Sequence, residues 1–238
     1  MDMFRSLINV IGKHLVPFTN PRVVCPPGII PKGSGKPIIV ASVMRSGTHL
    51  AIDLLLNNFS ELAKKPLYVD ADQLFRSKMN RDQYINNGLQ IGRCVVKTHF
   101  PQAAPENMRA TIEKLVEQSH VILLRRPVDQ TLRSTQSWGL VNDVDLYKQK
   151  VDDFFEFWSG VSNDVLEVNF DELTDQEKFP EIVQKISRLT GLKAKAKTYY
   201  PVNPKKISTM IITKLATRIF GKRAPVINTG IRSGMTQH

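Results

Sequence analysis

From Pro37 onward the chain alternates two kinds of pattern. Short runs of apolar, often β-branched residues stand at Pro37-Ile-Ile-Val-Ala-Ser-Val43, Arg93-Cys-Val-Val-Lys-Thr-His99, His120-Val-Ile-Leu-Leu-Arg-Arg126 and Asp164-Val-Leu-Glu-Val-Asn-Phe170. Each reads as a short strand. Between them apolar residues recur at helical spacing, from Leu50 through Leu54 and Leu55, and over 104–118, 129–137 and 146–159. Strands alternating with helices predict an α/β fold, a P-loop-like, doubly wound parallel sheet flanked by helices in a single domain. Ligands of such sheets bind beyond the carboxyl ends of the strands. Arg45, His99 and Arg125 each follow directly on the apolar part of a strand, so three strands deliver polar groups to one edge.

The end of the first strand carries the most information. Its apolar run breaks into a loop with Arg45, Ser46 and Gly47, and a helical pattern then begins. A strand feeding a loop and a helix leaves backbone N–H groups unpaired around one point. Gly47 permits close approach of a ligand to the backbone, and Arg45 adds a permanent positive charge. The combination predicts a phosphate cradle. It is not a Walker loop, which needs Gly-Lys followed by Ser or Thr: Gly47 precedes Thr48, and Gly33-Ser-Gly-Lys36 comes before the strand instead of after it. ATP hydrolysis is therefore disfavoured.

Two further groups sit on the same edge. In Lys97-Thr-His-Phe-Pro101, His99 is placed to take a proton from a hydroxyl while Lys97 steadies an anionic group in transfer. Alone, a Lys-x-His tripeptide is more often a structural or surface feature; beside the 45–48 loop it reads as chemistry. In Arg125-Arg-Pro-Val-Asp129, followed by Ser134, Pro127 and Asp129 suit a turn into a helix, and an Arg there suits a phosphate. The plainer alternative is an exposed Arg pair with Asp129 as a cap.

Residues 1–36 read as an N-terminal helix and a lead-in, 37–192 as the core, and 193–238 as a basic C-terminal helix with a further loop. Residues 20–37 hold five prolines and three glycines. Over 1–18, Phe4, Leu7, Ile8, Ile11 and Leu15 lie at helical spacing, but Arg5, Lys13 and His14 interrupt them. That predicts a helix packed on the domain or lying on a membrane surface, not a span or a signal peptide, and a cytoplasmic location by default. With 42% hydrophobic and 23% charged residues the chain reads as soluble and globular. Its net charge of +11 is uneven: the 57 residues after Glu181 hold 12 of the 33 Lys and Arg and no acidic residue. There Ile207, Ile211, Leu215 and Ile219 repeat every four residues, with Lys206, Lys214 and Arg218 on other faces. A core-packed helix with solvated lysines is the plain reading. The alternatives are a field that draws in a polyanionic cofactor, peripheral contact with an anionic membrane, or an acidic acceptor. Nucleic-acid binding is not expected, since no module accompanies the charge. Cys25 and Cys94 make neither a disulfide framework nor a zinc site.

The ordered set Ser42-Val-Met-Arg-Ser-Gly-Thr48, Lys97-Thr-His-Phe-Pro101, Arg125 with Ser134, and Asn169-Phe-Asp-Glu-Leu173 resembles the sulfotransferases that use 3′-phosphoadenylyl sulfate (PAPS). The resemblance spans about 37–192, with a weaker echo at Gly230-Ile-Arg-Ser-Gly234. It implies that Arg45, Ser46, Gly47, Thr48, His49 and Leu50 bind the 5′-phosphosulfate end of PAPS, Arg45 standing where many members have Lys. It implies further that Lys97 contacts the sulfuryl group and that His99 is the general base. Arg125 or Arg126, with Ser134, would hold the 3′-phosphate; the family's spacing of eight residues fits Ser134 only when counted from Arg126. Phe170, where Tyr is more common, would meet the adenine, and Arg232 with Gly234 would close on the 3′-phosphate. The family's last glycine and tryptophan would follow where the sequence ends at His238. The implied reaction moves a sulfuryl group to the hydroxyl of a small-molecule, lipid or glycan acceptor, without a metal. Acceptor choice would lie in 60–92, 138–150 and the tail. The alternatives are a nucleotide kinase-like phosphotransferase and an inactive nucleotide-binding relative.

Overall fold

The computed structural model describes residues 23–24, 30–63, 68–161 and 165–198. The helices expected over 1–18 and 205–220, and Arg232 and Gly234, lie outside the described residues. Among those described, six parallel strands form one sheet: β1 (Val23–Val24), β2 (Ile38–Ser42), β3 (Tyr68–Asp70), β4 (Val95–Thr98), β5 (His120–Arg125) and β6 (Val165–Asn169). Their spatial order is β1-β3-β4-β2-β5-β6, with β2 between β4 and β5. The α/β, parallel-sheet architecture thus follows the alternation of patterns along the chain.

Strand β2 reads as an unbroken apolar run because both of its faces are buried. Ile38 and Val40 face one core with Val95, Ile122 and Leu124, while Ile39 and Ala41 face the other with Val96, Val121 and Leu123. The first core is closed by α1 (Thr48–Asn58), α8 (Phe170–Thr174) and α9 (Phe179–Thr190), which supply Ile52, Leu55, Leu173, Phe179 and Ile186. The second is closed by α3 (Ala71–Leu74), α5 (Arg109–Glu117) and α7 (Val144–Gly160), through Leu74, Ile112, Leu115, Phe154 and Trp158. Helix α1 is buried almost all round, and Asn57 and Asn58 satisfy themselves by donating to the carbonyls of Asp53 and Leu54. The remaining helices are α2 (Ser60–Ala63), α4 (Lys78–Ile85) and α6 (Val128–Gln136).

The expected helix over 104–118 begins as a single 3-10 turn, Glu106–Met108, before α5. The larger difference lies in 60–92, read from sequence as an acceptor loop. It contributes strand β3 and helices α2, α3 and α4. Three residues are too few to display an alternation, and Tyr68, Val69 and Asp70 are buried by their neighbours, not by a pattern of their own.

Trp158 is the largest fully buried side chain, and its indole Nε1 donates to the Phe100 carbonyl at 2.8 Å. Trp158→Ala should lower unfolding stability by about 3–5 kcal/mol, read from the urea midpoint; a loss within about 0.5 kcal/mol would contradict its place as a core anchor.

Candidate functional site

The site starts where β2 runs out. Residues Val43 to Gly47 turn sharply, with Arg45 at φ 70° and Gly47 at φ 91°. A left-handed arginine costs about 1–3 kcal/mol and persists only where its surroundings hold it. At Gly47 a Cβ would lie 2.7 Å from the Phe170 ring, so glycine is required twice over. The Met44 N–H donates to Gln102 Oε1 at 2.7 Å, and the hydroxyls of Ser42 and Thr48 bond at 2.6 Å, tying strand end to helix start. Helix α1 has no side-chain cap, and of its first-turn amides those of Thr48 and His49 have no partner among the described residues. The buried Ser46 hydroxyl also has no partner among the described residues. Unpaired donors at a helix N-terminus fit an anion.

Two arginines flank this loop. Arg126 Nη1 donates to the Arg45 carbonyl at 2.8 Å, its Nε donates to Gln130 Oε1, and its guanidinium lies 3.9 Å over the Phe170 ring. Arg45 donates to Ser134 Oγ at 3.2 Å and stacks 4.2 Å from the Trp138 ring centre. Neither makes an ion pair among the described residues. Burial works against the charge of both, and Arg126 adds to the penalty on Arg45. Two neighbouring cations without a carboxylate between them favour an anionic ligand. Arg125 behaves differently. It is bidentate on Glu167, both bonds 2.7 Å, and it lies over Phe155. The structure therefore brings Arg126, not Arg125, to the loop, and Ser134 is the residue eight positions beyond it.

The other half of the site is the end of β4. His99 Nδ1 lies 2.6 Å from the Ser42 carbonyl. A carbonyl only accepts, so Nδ1 carries the proton and Nε2 keeps its lone pair. Burial, then the charge of Lys97, push the His99 pKa down to about 3. His49 is pushed down to about 4 by burial and then Lys97, with Asp70 opposing. Both imidazoles are neutral at pH 7. Lys97 Nζ bonds Asp70 Oδ2 at 2.7 Å. Asp72 accepts from Thr98 Oγ1 at 2.6 Å and from the His99 N–H at 2.7 Å. Burial, then Asp70, raise the Asp72 pKa to about 6, leaving it ionised at neutral pH.

Arg45, Ser46, Gly47, Thr48, His49, Lys97, His99, Arg126, Ser134 and Phe170 thus gather at one sheet edge. Leu50 turns its side chain into the core, and its N–H bonds the Gly47 carbonyl at 2.9 Å. Sequence reasoning missed Asp70, Asp72, Gln102 and Trp138. The Asp-Ala-Asp of residues 70–72 stands before a helix and reads as capping, which Asp70 also does by accepting from the Gln73 N–H. Among the described residues no group of three His, Cys, Asp or Glu could hold a metal ion, and no helix is long and apolar enough to cross a membrane.

Fold and site together define an α/β protein whose parallel sheet presents an arginine-flanked loop with unpaired donors, Lys97 and His99 standing at the end of the neighbouring strand. No family model matches the chain, and no curated protein matches it. Among solved structures it is similar to retinol dehydratase in complex with androsterone and the inactive cofactor PAP, at 15% identity and a TM-score of 0.41, over 82% of this chain and 68% of that one. Retinol dehydratase with retinol and PAP gives 14% and 0.38, over 84% and 73% of the two chains. A gluconokinase from Sinorhizobium meliloti 1021 gives 13% and 0.36, over 67% and 96%. Scores this low add no weight to any activity.

Because His49 and His99 hold neutral forms in the fold, the unfolded chain binds protons first as pH falls below about 6.5. Stability should therefore decline from there toward pH 4, opposed by the single proton that Asp72 takes near 6. His49→Gln should flatten the slope of the urea midpoint against pH over that window. A slope identical to that of the parent protein would show that His49 is not held neutral.

Proposed function

We propose that the protein transfers a sulfuryl group from PAPS to an acceptor hydroxyl. The observation that carries this reading is the neutral His99 near Lys97, its Nδ1–H held by the carbonyl of Ser42, the strand end from which the loop of Arg45, flanked by Arg126, continues, neither arginine making an ion pair among the described residues. When bound, PAPS supplies the sulfuryl group; the protein's own residues bind, orient and move the proton. The first-turn amides with Arg45, Ser46, Gly47, Thr48 and His49 would take the 5′ end, a use that the orphaned Ser46 hydroxyl supports. Arg126 and Ser134 would grip the 3′-phosphate, joined by Arg232 and Gly234 of the C-terminal segment, and Phe170 would meet the adenine.

His99 Nε2 accepts the proton of the acceptor hydroxyl as its oxygen bonds to sulfur, and the bisphosphate leaves. The proton rests on an imidazole whose Nδ1–H is already committed to the Ser42 carbonyl, so the imidazolium keeps one charge-assisted bond. Its low basicity in the free protein comes first from burial and then from the charge of Lys97. An anion on Lys97 offsets that charge, so basicity rises when the donor is in place. Lys97 steadies negative charge on the transferring oxygens, the main lever where a charged group passes in line between two oxygens. Acceptors would be hydroxyl-bearing small molecules, lipids or glycans.

Calorimetry with adenosine 3′,5′-bisphosphate and with ATP, each with and without Mg²⁺, is the direct test. Tight binding of the bisphosphate that ignores Mg²⁺ supports sulfuryl transfer, whereas binding of ATP alone and only with Mg²⁺ points to a phosphotransferase. His99→Ala should bind the bisphosphate normally and lose about 100-fold or more in transfer. Full activity in that variant would remove His99 as the base.

A further inference from the structure

Asp70 has no role in the scheme above, yet it is the partner of a group that does. Asp70 Oδ2 lies 2.7 Å from Lys97 Nζ, and the two side chains are only 3% and 15% exposed. The pair follows from the sheet, since Asp70 ends β3 opposite Lys97 of β4. Its other oxygen, Oδ1, accepts from the Gln73 N–H at 3.2 Å and caps α3. Held by a cap on one side and an ammonium on the other, the carboxylate has no freedom to swing away. An ammonium has three donors, and Asp70 takes one. The same carboxylate opposes any second anion brought to Lys97.

We propose that Asp70 is a positioning residue: it holds the Lys97 ammonium at the end of β4 with its remaining donors free, and shares it with an anion on ligand binding. Asp70 thereby weakens anion affinity and raises the rate of transfer. The identity of the anion rests on the sulfuryl-transfer reading; the sharing itself requires only an anionic ligand at Lys97. Asp72, two residues on, has the complementary task of holding the His99 backbone.

Asp70→Asn keeps an acceptor for the Gln73 N–H while removing the charge. It should bind adenosine 3′,5′-bisphosphate and inorganic sulfate about 3- to 10-fold more tightly, while kcat falls about tenfold or more. Asp70→Glu should recover part of the rate. A simple loss of structure would weaken both quantities together, so opposite movement is the signature. Unchanged or weaker affinity for both probes would overturn the proposal, as would a parental kcat. Should Asp70→Asn fail to fold, ammonium ¹⁵N resonances of the parent protein decide. The Lys97 signal should be protected from exchange without ligand and should shift on adding sulfate, and an unprotected signal or no shift rejects the pairing. If the parent protein transfers no sulfuryl group while Asp70→Asn still binds both anions more tightly than the parent, sulfuryl transfer is refuted and the sharing of Lys97 stands.

Discussion

The parallel register of β2 between β4 and β5 is the constraint from which the site follows. Ile38 to Ala41 pair with Val95 to Thr98 on one side, and Ile38 to Ser42 pair with His120 to Leu124 on the other. Every residue of β2 is 1% exposed or less, so a slip of one position would turn each side chain into the opposite core. With the register locked, β2 and β4 end at the same level. The Ser42 carbonyl then stands where His99 Nδ1 reaches it, and the Ser42 hydroxyl where Thr48 opens the helix. Strand end, helix start and imidazole become one hydrogen-bonded unit, and the tautomer of His99 is settled by packing far from the imidazole.

Charge divides this unit into two unlike halves. Around the loop, Arg45 and Arg126 face each other without a carboxylate, and burial makes both charges harder to hold. At the end of β4, Lys97 is already neutralised by Asp70, and Asp72 holds the backbone of His99. The loop half gains most from an anion, because neither guanidinium has an ion-pair partner among the described residues and only the more distant fields of Asp171 and Tyr147 favour the charge of Arg126. The β4 half is pre-formed, its groups oriented before any ligand arrives. The proposed reaction would use this asymmetry, binding with one half and reacting at the other, since a fully compensated loop would bind anions weakly and an uncompensated lysine would lack a defined position.

Much of this was legible in the sequence, for reasons that also mark where legibility ends. The central strands β2, β4 and β5 are dense apolar runs because both cores press on them, and their polar ends announced Arg45, Lys97, His99 and the Arg125–Arg126 pair. Strand β3 was illegible, being three residues long and buried by neighbours. Asp70 and Asp72 went with it, since a carboxylate in a polar stretch carries no sign of the partner it will meet across a sheet. The choice between adjacent arginines was equally closed to sequence. It turns on Glu167, which the half-exposed edge strand β6 places beside Arg125. Edge exposure is a property of strand order, and strand order is not written in any local pattern.

The loop conformation itself depends on the segment that follows β5. Arg45 sits in the left-handed region without the freedom of glycine, so something must over-determine it. Its carbonyl is held by Arg126, its guanidinium by the Ser134 hydroxyl and the Trp138 ring. All three holds come from residues 126–138, just before, within and just past the end of α6. Arg126 in turn lies over Phe170, the ring against which Gly47 is packed. The β5–α6 segment thus supplies one cation to the site and also keeps the other in a conformation it would not adopt unaided. A change in α6 that touches no ligand would still be felt at the loop, because these contacts hold Arg45 itself.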